Sequence, residues 1–183
     1  MSSLRTAIFV VWGAFWIYWL VSATDAKESS RRGGWRLRGV SLGIIVAASV
    51  VIRRVHGSSS LAIHSEVLEA IATIVFVSGL AFAVWARIHL GRNLGMPMTE
   101  RAEPELVTSR PYRYLRHPIY TGILMGLLGT ALAINLYYLI ALAALTGYFV
   151  FGATVEERNM TDAFPEQYPE YKAHTKMLIP FAL

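Results

Sequence analysis

Cysteine is absent from the 183 residues. That excludes disulfides, thiolate zinc sites, a cysteine nucleophile and prenylation of the chain itself. Charge is scarce as well: 16% of residues are charged and 55% are hydrophobic, against about 25% charged in ordinary soluble proteins. Such a balance belongs to membrane proteins. The histidines, His56, His64, His89, His117 and His174, show no metal-ligand spacing such as His-Glu-x-x-His, so no metal is expected. His89 and His117 on one face leave a haem reading formally open. There is no internal repeat and no low-complexity segment. The net charge of +5 does not indicate nucleic acid, because the basic residues sit in short loops between apolar segments.

The apolar segments organise the chain. A helix needs about 20 mostly apolar residues to cross a bilayer. Thr6–Thr24 carries no charge and holds Trp12, Phe15, Trp16, Tyr18 and Trp19. Its apolar core is longer than that of a signal peptide ending at Val21-Ser-Ala23, which favours an uncleaved span. Gly39–Ile52 reaches spanning length if Trp35 and Leu37 join it and Arg36, Arg38 and Arg53 snorkel. Ala70–Ala86 extends backwards through Val67 and Leu68. From Pro118 to Val155 run 38 residues without a charge, too many for one helix. Asn135 lies near the middle and marks the expected turn between two helices. The expectation is an all-α integral membrane bundle of about five transmembrane helices, with a C-terminal helical hairpin and a cytoplasmic cofactor pocket. One domain accounts for residues 1–183: three spans in 1–86, then a loop, hairpin and tail in 87–183.

Fourteen of the 17 basic residues fall in the loop 24–38, the loop 87–116 and the tail. Arg5, Arg53 and Arg54 remain for the other side. The positive-inside rule puts the loop 87–116 and the C-terminus in the cytoplasm, in a cell inner (plasma) membrane.

Three sets of residues carry chemistry. Arg110-Pro-Tyr-Arg-Tyr-Leu-Arg-His-Pro-Ile-Tyr-Thr-Gly122 packs arginines, tyrosines and a histidine against the start of the long apolar run. A residue before proline avoids helical geometry, and proline suits a first helical turn. A helix is therefore expected to begin at Pro118 with His117 outside it, its free amides suited to an anionic group. The plainer alternative is an interfacial helix start with the arginines and tyrosines as anchors. Gly122, Gly126 and Gly129 point to close helix packing more than to ligand contact. Glu156-Glu157 ends the apolar run, where acidic side chains oppose the helix dipole. Arg158 or an arginine of the central loop is expected to compensate. One carboxylate is placed to receive a ligand ammonium, unless the pair is only a solvated helix end. In the tail, Phe164, Tyr168, Tyr171 and Lys176 suit either an adenine ring or an interfacial belt.

Leu106-Val-Thr-Ser-Arg-Pro-Tyr112, Arg116-His-Pro-Ile-Tyr-Thr-Gly122, Glu156-Glu157 with Met160, and Phe164 through Pro180 together resemble the isoprenylcysteine carboxyl methyltransferase family and its bacterial relatives. Leu90-Gly-Arg-Asn93 is a weaker echo. The resemblance implies an integral membrane enzyme using S-adenosylmethionine. It assigns cofactor binding to Glu105, Leu106, Val107, Tyr112, His117, Pro118, Ile119, Tyr120 and Glu156, and makes the tail a lid over the cofactor. The eukaryotic prenylcysteine enzymes carry a substrate-binding arginine one turn before the glutamates. Gly152 stands there in this chain, so the clamp is missing or another arginine such as Arg92 replaces it.

The expected activity is methyl transfer from S-adenosylmethionine to a lipophilic or small thiol or carboxylate acceptor that enters from the membrane. No residue stands out as a dedicated base. Two rivals differ in class. A membrane sterol-type reductase using NADPH usually has asparagine where this chain has Ile119. A non-enzymatic binding or transport protein would show charges inside its spans, and the apolar segments have none. The absence of cysteine makes the topology directly testable. Single cysteines introduced as Arg110→Cys and Glu170→Cys should react with an impermeant thiol reagent from the same side of the membrane. Labelling from opposite sides would sink a shared site.

Overall fold

In a computed structural model of the chain, residues 3–23, 65–91 and 106–179 are described. Five helices are defined: α1 (Ser3–Ala23), α2 (Glu66–Leu90), α3 (Pro118–Ile134), α4 (Tyr138–Ala163) and α5 (Gln167–His174). No strand is named among the described residues, apart from one isolated bridge between Leu115 and Lys176. The all-α expectation holds.

Among the described residues, three helices are long and apolar enough to cross a membrane: Ser3–Ser22, Glu66–Leu90 and Tyr138–Ala163. The shorter apolar helix is Pro118–Ile134, with 17 residues. The number of spans thus supported is smaller than the expected five. The candidate span Gly39–Ile52 lies outside the described residues.

Local sequence sets the boundaries. Glu66 and Glu69 in the first turn of α2, and Arg87 and His89 in its last, complement the helix dipole. Gly91 ends that helix at φ 56°, a conformation that a side chain disfavours. α3 starts at Pro118, with His117 outside it in non-helical geometry at φ −125° and ψ 58°. Asn135 breaks the long apolar run as its spacing suggested. Its backbone is extended, and its side-chain oxygen accepts the Tyr137 N–H at 2.9 Å.

α2 and α3 pack backbone to backbone along a seam of small residues. A Cβ on Gly79 would sit 2.5 Å from the Gly126 nitrogen. One on Gly122 would sit 2.6 Å from the Ala83 nitrogen, and one on Gly129 2.5 Å from the Phe76 nitrogen. This is the close approach that glycine spacing permits within a bilayer, where packing rather than hydrophobicity drives helix association. α1 leans on the seam through Trp12, whose indole N–H donates to Thr130 Oγ1 at 3.0 Å and whose ring meets Phe76 edge-on.

These contacts fix direction. Residue 12 meets 76, and Arg87 donates to the Ser22 carbonyl, so α1 and α2 run the same way. Residues 79 and 122 meet, as do 76 and 129, so α3 runs oppositely. Arg87 also donates to the Gly91 carbonyl at 2.6 Å. One guanidinium thereby satisfies carbonyls at the ends of both α1 and α2, where the dipoles are negative. The outer row Val67, Ile71, Ile74 and Val77 of α2 is exposed, as expected of a face turned to lipid.

The seam yields a paired prediction. Gly129→Ala forces a methyl against main chain and should lower stability by about 1–3 kcal/mol. Gly147 has nothing within 4 Å of a Cβ, so Gly147→Ala should be neutral or raise stability by about 0.5–1 kcal/mol through helix propensity. Thermal unfolding of both variants in one detergent reads the difference; equal behaviour contradicts the seam.

Candidate functional site

The ends of α1 and α2, the start of α3, the end of α4 and the tail all meet at one end of the bundle. Pro118 leads Tyr120 into the first turn of α3, where its ring stacks between two others. His117 lies 5.4 Å away at 5°, and Phe149 of α4 lies 4.5 Å away at 3°. The Tyr120 hydroxyl donates to Glu156 Oε1 at 2.5 Å. Glu156 Oε2 lies 3.5 Å from His117 Nδ1. Tyr120, His117 and Glu156 therefore form one connected group, although 36 residues separate Tyr120 from Glu156.

Glu157 lies deeper. Its side chain is 3% exposed, against 22% for Glu156. Arg116 Nε binds Glu157 Oε1 at 2.6 Å, and Lys172 Nζ binds Oε2 at 2.7 Å. A buried carboxylate needs such partners, since desolvation otherwise costs several kcal/mol. The compensating cations are thus Arg116, from the central loop, and Lys172, from the tail. Arg158 is exposed.

His117 sits between the two glutamates. Its Nε2 is 3.4 Å from Glu157 Oε1 but not aligned for a hydrogen bond. Burial disfavours the charged imidazolium, yet the close carboxylates of Glu156 and Glu157 outweigh it and raise the pKa above the ordinary 6.5. Burial also raises the Tyr168 and Tyr171 hydroxyls above their usual range, with nearby Glu157 adding to it.

The tail closes this end. Tyr171 Oη donates to the Tyr112 carbonyl at 2.6 Å, and Tyr112 Oη to the Ala86 carbonyl at 3.3 Å. Tyr168 is buried. The Arg110–Pro111 peptide bond ahead of Tyr112 is cis. An open groove of about 390 Å³ runs between the loop and α5, lined by Leu106, Thr108, Gln167, Glu170, Tyr171 and His174. A second, of about 270 Å³, borders Thr154, Glu157, Lys172 and Met177.

Of the residues singled out from sequence, Tyr112, His117, Pro118, Ile119, Tyr120 and Glu156 gather at this end, and Leu106 lines the groove shared with Tyr171. Val107 is half-buried. Glu105 and Arg92 lie outside the described residues. Gly152 is buried in α4, one turn before Glu156. Gly126 and Gly129 serve the α2–α3 seam. His89 is exposed, bonded to the Trp85 carbonyl, and no metal-binding cluster occurs among the described residues. Sequence reasoning gave no special part to Lys172 or Thr175. The acidic pair closing the apolar run was the one signal in the sequence that a partner cation had to exist.

Two predictions follow from the charges. Removing one member of a buried pair costs up to about 3–5 kcal/mol, and Lys172 beside Glu157 offsets part of that for Arg116. Arg116→Ala should therefore destabilise strongly, and Lys172→Ala, whose side chain is half exposed, by under about 1 kcal/mol. Equal losses contradict the arrangement. The raised pKa of His117 means that its protonated form stabilises the fold. That contribution is complete below about pH 6.5 and is lost as pH rises through the raised value. Unfolding temperature should fall across that window, and His117→Asn should flatten the dependence; a native profile that rises there contradicts it.

Residues 67–167 match the family model described as phospholipid methyltransferase. Methanethiol S-methyltransferase 1 of Bradyrhizobium diazoefficiens is 34% identical over 82 residues, covering 45% of this chain and 28% of that protein. The chain thus spans just over a quarter of that relative's length. Protein-S-isoprenylcysteine O-methyltransferase B of Arabidopsis thaliana is 31% identical over 144 residues, covering 67% of this chain and 73% of the other. The solved structure of the eukaryotic intramembrane Ras methyltransferase, isoprenylcysteine carboxyl methyltransferase, superposes with a TM-score of 0.67 at 22% identity, covering 99% of this chain and 69% of the other. That likeness is one of fold. The isoprenylcysteine resemblance seen in the motifs is therefore one branch of a broader relation. With more than half its length inside the family model, the chain belongs to the phospholipid methyltransferase family, among small membrane methyltransferases related to the isoprenylcysteine and methanethiol enzymes.

Proposed function

We propose that the protein is a membrane methyltransferase that binds S-adenosylmethionine at the Tyr112, His117–Tyr120 and Glu156 end of the bundle. The observation that carries this reading is the Tyr120–Glu156 hydrogen bond beside His117. It joins two motifs, far apart in sequence, into one half-accessible acidic and aromatic site. The donor set suits the cofactor. Glu156, the more accessible glutamate, offers a carboxylate to an ammonium group. Tyr120 holds that carboxylate in place, and His117 presents a polar edge next to it. Leu106, Val107 and Ile119 contribute backbone groups, and Glu105 adjoins them in sequence.

When bound, the cofactor's sulfonium supplies an electrophilic methyl group. The protein's task is then to align an acceptor with it and exclude water, and proximity accounts for much of the rate. The Tyr120–Phe149 stack gives the site an apolar wall. A thiol or carboxylate acceptor, lipophilic or small, needs the least base assistance. Methanethiol and prenylated-cysteine relatives fall in these two classes. Gly152 leaves no cation one turn before Glu156, and Arg92 is the candidate to replace it.

We also propose five crossings with the site facing the cytoplasm. The parallel run of α1 and α2 supports an odd crossing between them, because the chain leaves α1 at the site end and joins α2 at the far end. The basic residues favour the cytoplasm for the site end.

Titration with S-adenosylmethionine in lipid should saturate, and NADPH should not bind. Glu156→Gln should weaken affinity about tenfold to a hundredfold, the loss of one charge-assisted hydrogen bond, with the unfolding temperature unchanged within a few degrees. Arg158→Ala is the surface control. Undiminished affinity in Glu156→Gln removes that residue from the site, and binding of NADPH alone favours a reductase.

A further inference from the structure

The tail after α5 is joined to the segment before α3 by an unbroken series of contacts. Arg116 N–H donates to the Lys176 carbonyl at 2.8 Å, His117 N–H to the Met177 carbonyl at 3.1 Å, and Lys176 N–H to the Tyr114 carbonyl at 3.3 Å. Thr121 Oγ1 donates to the Leu178 carbonyl at 2.6 Å. The Arg116 guanidinium donates to the carbonyls of Lys172 and Thr175 while its Nε holds Glu157. Tyr171 ties the Tyr112 carbonyl. Tyr168, Thr175 and Leu178 are all buried, and Leu178 joins the main apolar core.

We infer that this tail is a fixed buttress that positions His117 through its main chain and Tyr112 through the Tyr171 hydroxyl, and that Arg116 is the positioning residue joining it to the end of α4. A flap that opens for each ligand needs few buried contacts and a loosely held backbone. Here, lifting the tail strips the amides of Arg116 and His117 of their partners. It also exposes three buried side chains and leaves the Arg116–Glu157 pair without its remaining hydrogen bonds. Each loss is penalised because buried polar groups go unmatched, and the losses come together. The lid that the family resemblance implies is thus replaced by a wall: ligand exchange proceeds with the tail in place. The inference rests on the proposed cofactor site for its functional meaning, and on the contacts alone for the wall.

The cysteine-free chain permits a direct lock. Leu115 and Lys176 face each other across the isolated bridge, and neighbouring bridged positions fall within disulfide reach. In a Leu115→Cys/Lys176→Cys variant, oxidised and reduced forms of the same preparation are compared for S-adenosylmethionine affinity and association rate. The buttress gives values equal within about twofold; loss of binding or a tenfold slower association only in the oxidised form overturns it. Amide hydrogen exchange on the native protein without ligand gives a second readout. Arg116 and His117 amides should be protected as strongly as the interior of α3. Free exchange without S-adenosylmethionine and protection only with it overturns the buttress. Arg116→Lys keeps the charge but not the fork, so affinity should fall about tenfold, and native affinity overturns the role of Arg116. If the native protein binds no S-adenosylmethionine, the cofactor reading fails while the exchange result still decides the tail.

Discussion

A carboxylate buried just beyond the apolar stretch of a long helix needs a cation, and the contact between Glu157 and Arg116 meets that need. α4 continues past Glu157 to Ala163, so burial of the side chain, rather than the helix dipole, is what demands a partner. Arg116 enters from the segment just before α3 and, through the other arm of its guanidinium, takes hold of the tail. One side chain therefore joins three stretches of chain: the segment before α3, the end of α4 and the tail. The planar fork of arginine allows this, and the point charge of lysine does not. Lys172 adds charge to the same carboxylate from the more exposed side.

Once Glu157 is held, the placement of its neighbour follows. Successive helical residues point about 100° apart, so burying Glu157 among cations turns Glu156 toward Tyr120 and His117. The paired glutamates thus take different work: the deeper one secures the helix end, and the shallower one remains accessible. The glycine seam between α2 and α3 supplies the matching constraint from below. It brings the two backbones close enough that the ends of both helices lie level with the site.

Much of this was legible in the sequence. The helix start at Pro118 and the break at Asn135 followed from backbone rules, because proline geometry and helix length act locally. Packing by Gly122, Gly126 and Gly129 followed from their spacing. The partners of Glu157 did not. An unfavourable charge at a helix end announces that compensation exists, but not which of several nearby cations provides it. Arg158 is adjacent in sequence and exposed in space, whereas Lys172 comes from a later element. Likewise, the tail's tyrosines suited an interfacial belt or a ring contact equally well. Only the three-dimensional path shows Tyr171 spending its hydroxyl on the Tyr112 carbonyl. Pairings across elements depend on topology, which composition and spacing do not encode.

A structure determined with S-adenosylhomocysteine bound, in lipid, tests the central claim most directly. The account predicts the amino group of the ligand's amino-acid end on Glu156, its body against His117 and Tyr120, and the contacts of Arg116 with Glu157 and the tail retained. Ligand density away from Glu156, or a Glu156 carboxylate still committed to Tyr120 and His117 with the ligand elsewhere in the bundle, would contradict it.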